Sequence, residues 1–418
     1  MIVSDVTSRD AGDDVELSAR IRPERSRTGP LRVWFRFPSR VGALPLLGDP
    51  WLAGFLAPCM YANEQLRIEA PISARLAESA ERIQSLLTNW FPTILARVPL
   101  RFAEIRQNAL ERQGVPRVGC FHSCGVDSWY SCLKHGSDVT LLILIRGFDI
   151  RNENDALWEQ TRGRLEAAAQ YLKAEAVPVE TNLREIADVR RCSWTRNYRG
   201  DFWGKCLHGS NLAAVALCLQ SLLRRTIIPS SFTRAQLFPW GSHPELDPLW
   251  ATEDMEFVHD GCEASRLEKI RSISECDVAL SQLRVCYHNV PGRYNCCVCE
   301  KCCRTMIGLR LCGVLEKAAS FHRPLDLDVV RRTRLSIHSR KFFEELLEEA
   351  ATARDEELME ALRVALGEQF SLCRTWGLTS EFLDRCLKKM RKEARSAAGL
   401  AGRRPGSNPG KVPRGPDS

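Results

Sequence analysis

From Leu31 to Phe37 the run LRVWFRF alternates apolar and polar positions, which predicts a strand with one buried face. LRIEA (Leu66–Ala70) predicts a second strand. ISARLAESAERIQSLLTNWF places Leu76, Ile83, Leu86, Leu87 and Trp90 at helical spacing. Residues 1–29 are polar and are expected to be irregular, and 30–108 to form an α+β N-terminal domain. The pattern then changes. Apolar runs at Val118–Phe121, Val139–Ile145, Ala176–Glu180 and Thr226–Ile228 alternate with helical stretches at Glu153–Leu172 and Asn211–Leu223. Such alternation predicts an α/β domain over 109–320, a doubly wound parallel sheet with helices on both faces. A helical region is expected at 321–395, its clearest amphipathic piece being KFFEELLEEAATARDEELMEALRVALG, and a disordered basic tail at 396–418.

Charge sharpens this picture at one end only. Between Lys388 and Ser418 nine basic residues face two acidic ones, an excess that equals the +7 of the whole chain. The body is therefore neutral, and nucleic acid is an expected partner only through the tail. The longest apolar run, Leu212–Leu219, is too short to span a bilayer, and the acidic N-terminus lacks the apolar core of a secretory signal, so a cytoplasmic location is expected.

The chemistry begins after the first apolar run of the α/β region. Ser123-Cys124-Gly125-Val126-Asp127-Ser128 sits between strand and helix signals. At the carboxyl end of a parallel strand such a turn exposes unpaired N–H groups beside a helix N-terminus, which suits an anion. Ser123 and Ser128 add hydroxyl donors, and Asp127 can hold a magnesium ion or cap the helix. The plainer alternative is a Ser/Asp-rich helix cap with no ligand. No Walker loop is present, since the nearest stretch, GDFWGKC, has the wrong spacing and lacks the hydroxyl.

Of eighteen cysteines, six fall between Cys286 and Cys303. Cys286 followed by Cys296-x-x-Cys299-x-x-Cys302 offers four thiolates with the two-residue spacings of a closed tetrahedral zinc site. Cys297 and Cys303 are expected bystanders. An iron–sulfur cluster is the alternative, although Met306 stands where the ferredoxin run has its fourth cysteine. His122 reads first as a turn histidine. His243, Glu245 and Asp247 read equally as a magnesium cluster or a Pro-bounded turn, and Glu263, Arg266 and Lys269 as a solvated helix face.

Taken together, the loop and the cysteine cluster resemble the adenine-hydrolase-like ATP pyrophosphatase (PP-loop) superfamily, and within it 7-cyano-7-deazaguanine synthase. Ser123, Gly125, Asp127 and Ser128 match the superfamily's Ser-Gly-Gly-x-Asp-Ser loop, with Cys124 in place of the first glycine. LHGSNLAAVALCL is similar to that enzyme's Pro-Gly-Arg-Asn helix start, with Gly209 and Asn211 kept. SRLEKI is similar to its Lys-x-Glu segment, with Arg266 in the Lys position and Glu268 retained. The resemblance spans 117 to about 312 and implies a Rossmann-like fold, binding of ATP, Mg2+ and Zn2+, and adenylation of a carbonyl or carboxylate with release of pyrophosphate before nitrogen substitution. It implies nucleotide binding by Ser123, Gly125, Val126, Asp127, Ser128, Gly209, Asn211 and Arg266, and zinc ligation by Cys286, Cys296, Cys299 and Cys302. Asp127 and Cys124 are the candidate catalytic residues. Expected partners are a small-molecule or protein-borne carbonyl substrate, a nitrogen donor and a second copy of the chain. The stretch GSHPELDPLWATEDMEFVHDG is unlike the family's substrate loop and implies a different acceptor. Two rivals are a tRNA-thiolating relative with Cys124 as sulfur carrier, and a non-catalytic zinc-stabilised scaffold. Because Gly125 supplies a flexible position, Cys124 is expected to keep a negative φ.

Overall fold

The computed structural model describes residues 1–24, 29–111, 114–189, 198 and 200–367. Its N-terminal part runs β1 (Ile2–Ala11), β2 (Asp14–Arg22), β3 (Leu31–Pro38), α1 (Asp49–Ala62), β4 (Leu66–Ser73), α2 (Ala74–Trp90) and β5 (Leu100–Arg106). Residues 1–29, expected to be irregular, instead supply the β1–β2 hairpin. Val15, Leu17, Ala19 and Ile21 alternate into the core, while the opposite face is charged: Arg9 and Arg36 reach the Glu16 carboxylate at 2.8 Å and Arg32 joins them. The polarity that read as irregular is the open face of an antiparallel sheet. Helix α1 lacks an amphipathic stripe because nearly all of it is buried.

The alternating region follows as β6 (Arg117–Phe121), α3 (Val126–His135), β7 (Leu141–Arg146), α4 (Asp155–Leu172), β8 (Glu175–Thr181), α5 (Leu183–Ala187), α6 (His208–Leu217), β9 (Leu223–Pro229) and β10 (Glu256–Asp260). All ten strands form one sheet, in the order β10-β9-β6-β7-β8-β3-β2-β1-β4-β5. The stretch from β10 to β8 is parallel throughout and reverses its winding at β6, a Rossmann-like arrangement.

The N-terminal part is therefore not a separate sheet. β3 pairs antiparallel with β8, and Asn182 extends the ladder by accepting from Trp34 N (3.0 Å) and donating to Arg32 O (2.9 Å). An unpaired β8 edge would have been a template for aggregation. One core joins both parts, with α1 packed on α6 and Met1, Phe35, Trp51, Ile143 and Val215 in the same cluster. The expected boundary near 108 is a change in strand direction, not a break in the core.

Helices α7 (Arg266–Ser274), α8 (Asp277–Gln282), α9 (Glu300–Leu311), α10 (Leu327–Arg331) and α11 (Ile337–Thr352) follow β10, and 356–367 are also helical. Phe343, Leu346 and Leu362 share a cluster with Leu267 and Ile307, seating α11 on α7 and α9. Residues 368–395 and the tail at 396–418 lie outside the described residues. Among the described residues no helix is long and apolar enough to cross a membrane.

Candidate functional site

The loop from His122 to Ser128 leaves the carboxyl end of β6 at the point where strand order reverses, and runs into α3. His122 N donates to Ile143 O (2.8 Å), anchoring the loop to the next strand. Position 124 departs from expectation. Cys124 has φ +59°, in the left-handed region, whereas Gly125 is extended at φ −86° and ψ 170°. The space at the glycine is tight but not closed: a Cβ at 125 would lie 3.1 Å from Ser123 Oγ, an exposed side chain that can shift, and at ordinary contact distance, 3.5 Å, from Arg284 O.

The Cys124 thiol is fully buried, and burial pushes its pKa up to about 11, with Tyr294 and Arg284 acting in the opposite direction. A neutral, enclosed thiol is a poor nucleophile or sulfur carrier. Its backbone does the useful work, since Cys124 O accepts from Arg284 N at 2.8 Å.

Ser123 is exposed, and Ser128 Oγ donates back to Gly125 O at 2.9 Å. Asp127 is claimed by Arg266 (2.8 Å), Lys269 (3.5 Å) and Ser231 Oγ (3.0 Å). Burial opposes its charge, but the two cations outweigh burial and hold the carboxyl below its usual range. Arg266 and Lys269 are thus buried partners of the loop, not the solvated face their spacing suggested. Asp127 is correspondingly less available to magnesium. Asp149, half exposed at the turn after β7, is a second carboxylate facing the cleft.

Two adjoining spaces meet at the loop. The larger, about 180 Å³, has apolar walls from Phe121, Ile143, Ile145 and Phe148. The smaller, about 70 Å³, is bounded by Arg266, Arg284, Lys301 and Arg304. Ser123, Asp127, Asp149, Arg284 and Lys301 line both. Arg284 is buried with Nε and one Nη lacking any hydrogen-bond partner. A buried guanidinium with unmet donors is costly unless an anion fills the space. His122 Nε2 is likewise unpartnered, and burial holds its pKa down to about 4, so the ring is neutral. Arg304, stacked on Phe342 of α11 at 4.2 Å, has its pKa lowered to about 10 by burial and by neighbouring Arg266.

Gly209 and Asn211 are not brought to this cleft. Gly209 packs where a Cβ would lie 2.4 Å from Gly241 O, and Asn211 is fully buried in α6. His208 and Leu212 of the same helix line the larger space. The one-residue shift around a helix decides which side chains face the cleft, and a short motif does not reveal it. His243 forms a turn, its Nδ1 accepting from Glu245 N at 3.1 Å, while Asp247 turns away to His259.

The four cysteines do converge. Their sulfurs lie within 4.8 Å of one another, with Cys296–Cys302 at 3.8 Å and Cys286–Cys299 at 4.0 Å. A tetrahedral ion with metal–sulfur bonds of about 2.3 Å requires sulfurs about 3.8 Å apart, so the set could hold a metal such as zinc. The separation is far too long for disulfides. Cys297 and Cys303 turn elsewhere, to His322 and Thr333. Asn295, which the spacing of cysteines did not single out, ties the knuckle together: its Oδ1 accepts from Val285 N and Cys286 N, and its Nδ2 donates to Leu283 O and Ser320 O. The cysteine centre sits directly behind the smaller space, because Arg284 precedes Cys286 and Lys301 and Arg304 flank Cys302. The signal for these cations lay in the sequence, as basic residues interleaved with ligand cysteines.

Comparisons with protein-family models, with curated proteins and with solved structures returned no match.

Proposed function

We propose that the protein is an ATP-dependent ligase of the PP-loop type, which adenylates a carbonyl or carboxylate, releases pyrophosphate and substitutes nitrogen. The observation that carries this reading is the unsatisfied Arg284 guanidinium beside the α3 N-terminus, in a cleft that joins a cationic space to an apolar one. A nucleoside triphosphate has this duality, with an apolar flat base and a polyanion. The first-turn N–H groups of α3 and the Ser123 hydroxyl would face the terminal phosphates. Arg284, Lys301 and Arg304 would neutralise charge developing on departing pyrophosphate, and Phe121, Ile143 and Ile145 would flank the base. Magnesium would accompany the phosphates, with half-exposed Asp149 as the candidate carboxylate.

Zinc would be held by Cys286, Cys296, Cys299 and Cys302. Its chemistry is structural, since four thiolates leave no open position. Crowded thiols cannot all ionise without a cation, which is what a dication supplies. Burial of the Cys124 thiol weighs against sulfur transfer through that residue.

The test incubates purified protein with ATP–magnesium, ammonium and a panel of carboxylates. Carboxylate-dependent release of AMP and pyrophosphate is expected, and release of ADP and phosphate would refute the reading.

A further inference from the structure

The buried side chains of α11 do not all meet the same surroundings. Phe343, Leu346 and Ala350 follow helical spacing and lie in the apolar cluster with Leu267 and Ile307. Phe342 is 3% exposed and stands outside that cluster, buried against charge. The Arg304 guanidinium carbon lies 4.2 Å from its ring centre, and that of Arg266 lies 5.7 Å away. Phe232 stacks on the same ring, with centres 5.6 Å apart and planes inclined by 23°.

All three neighbours lead to the loop. Arg266 Nη2 donates to Asp127 Oδ2 at 2.8 Å, and Ser231, next to Phe232, donates to the same oxygen at 3.0 Å. Arg304 stands with Arg266, Arg284 and Lys301 around the smaller space. Glu345, one turn along α11 from Phe342, accepts from Ser265 Oγ and, at 3.4 Å, from Leu267 N. Those donors open α7, the helix that carries Arg266, and a carboxylate there complements the positive end of its dipole. A turn further on, Glu349 pairs with Arg271. Two carboxylates thus fasten α11 to α7, and one ring fastens it to the cleft.

The chemistry of that ring matters. Arg304 Nε already meets one carboxylate, Glu300, at 3.3 Å. A second carboxylate in place of Phe342 would neutralise the guanidinium and occupy its remaining N–H groups. An aromatic face attracts the cation through its quadrupole and leaves those donors unspent.

We propose that Phe342 is a positioning residue for polyphosphate: it aims Arg304 and Arg266 at the smaller space, which makes α11 part of the binding site. Occupancy of the space and seating of α11 then stabilise each other, because coupling between two sites is reciprocal. The inference rests on the proposed function in taking this space as the place of the phosphates. It gives a role to a helix that lies outside both sequence motifs.

Calorimetric titration of the full chain with inorganic pyrophosphate tests this. Phe342→Leu keeps apolar bulk and loses the ring face, and is expected to weaken binding about tenfold with the metal content unchanged. Phe342→Tyr keeps the face and is expected to bind within about twofold of wild type. Wild-type affinity in Phe342→Leu, or equal loss in both variants, would overturn the proposal, as would a wild-type protein that binds no pyrophosphate. In the wild type, pyrophosphate is expected to slow amide exchange over 337–352 more than in the β1–β2 hairpin. That measurement stands even if a variant fails to fold, and unchanged exchange there would also overturn the proposal. Binding of pyrophosphate that depends on Phe342, without carboxylate-dependent AMP release, would refute only the adenylation reading. Release of AMP and pyrophosphate from ATP, with pyrophosphate affinity indifferent to Phe342, would refute only this one.

Discussion

Arg9, Arg32 and Arg36 converge on Glu16 on the antiparallel strands β1–β3, and Arg266, Arg284 and Arg304 converge on the loop in the parallel half of the sheet. The first three are 61%, 48% and 39% exposed, so water absorbs whatever charge Glu16 does not. In the cleft, Arg266 is 8%, Arg304 7% and Arg284 5% exposed. Among the described residues, the carboxylates beside Arg266, Lys269, Arg284, Lys301 and Arg304 are Asp127, Asp149 and Glu300, and Asp149 is shared with Arg184. Water reaches the three cleft arginines far less than it reaches the three around Glu16. Equal numbers of arginines are compensated in one place and crowded in the other, burial separates the two, and on the proposed function an anion would complete the second.

The sharpest way to break this contrast is to remove what positions the cleft cations. Cys302→Ser, or chelation, is expected to lower metal content from close to one zinc per chain to near zero. Stability should fall by several kcal/mol and nucleotide binding should be lost, because Arg284, Lys301 and Arg304 are held by the knuckle. The hairpin around Glu16 should keep its amide-exchange protection. Elemental analysis, urea melts and hydrogen exchange check the three parts.

Asp49 is the reverse case, a buried carboxylate without an ion pair. It accepts from Ser73 N (2.8 Å) and Gln220 Nε2 (2.9 Å), and burial raises its pKa to about 6 despite both. The folded state therefore holds the proton more tightly than the unfolded state does. This group's contribution is greatest below the unfolded pKa and is lost as pH rises through about 4 to 6, costing about 2–3 kcal/mol. Asp49→Asn should flatten that part of the stability–pH curve in urea titrations at pH 4 and pH 7. An unchanged slope would remove Asp49 from the account.

Arg284→Ala should weaken ATP binding by about 2 kcal/mol, roughly thirtyfold, while leaving the melt unchanged or raised, since an unpaired buried guanidinium costs the free protein. Calorimetric titration checks it, and the same affinity in the variant would sever Arg284 from the ligand. Arg32→Ala should cost about 0.5 kcal/mol or less, shrinking further in salt, because two arginines still cover Glu16 and the pair is half exposed.

Much of this was legible in the chain. The apolar runs at β6 to β9 and the helix α4 follow from periodicity, because a strand buried on both faces has little freedom in composition. The cysteine spacing announced convergence, because two-residue knuckles leave few other arrangements. The β1–β2 hairpin was not legible, since its charged face looks like a polar segment until Arg9, Arg32 and Arg36 are brought across strands to Glu16. Neither was α1, whose all-round burial erases the helical stripe. Cys124 is the instructive error: a neighbouring glycine seemed the natural site of positive φ, but the left-handed turn falls one residue earlier, where the Cys124 carbonyl accepts from the distant Arg284 N.

By itself the amino-acid sequence determined where strands and helices alternate, where a polar turn follows an apolar strand, and which four sulfurs are spaced to meet. These are local properties, carried by side-chain period and by short loops that leave the chain few choices. Only the tertiary structure decided that both parts share one sheet, and that Arg266 and Lys269 turn inward to Asp127. It also decided that His208 and Leu212, and not Gly209 and Asn211, are among the residues lining the cleft, and that His259 meets Asp247. Those outcomes depend on pairing between residues distant in the chain and on which side of a helix is buried, and neither is encoded within any one window of sequence.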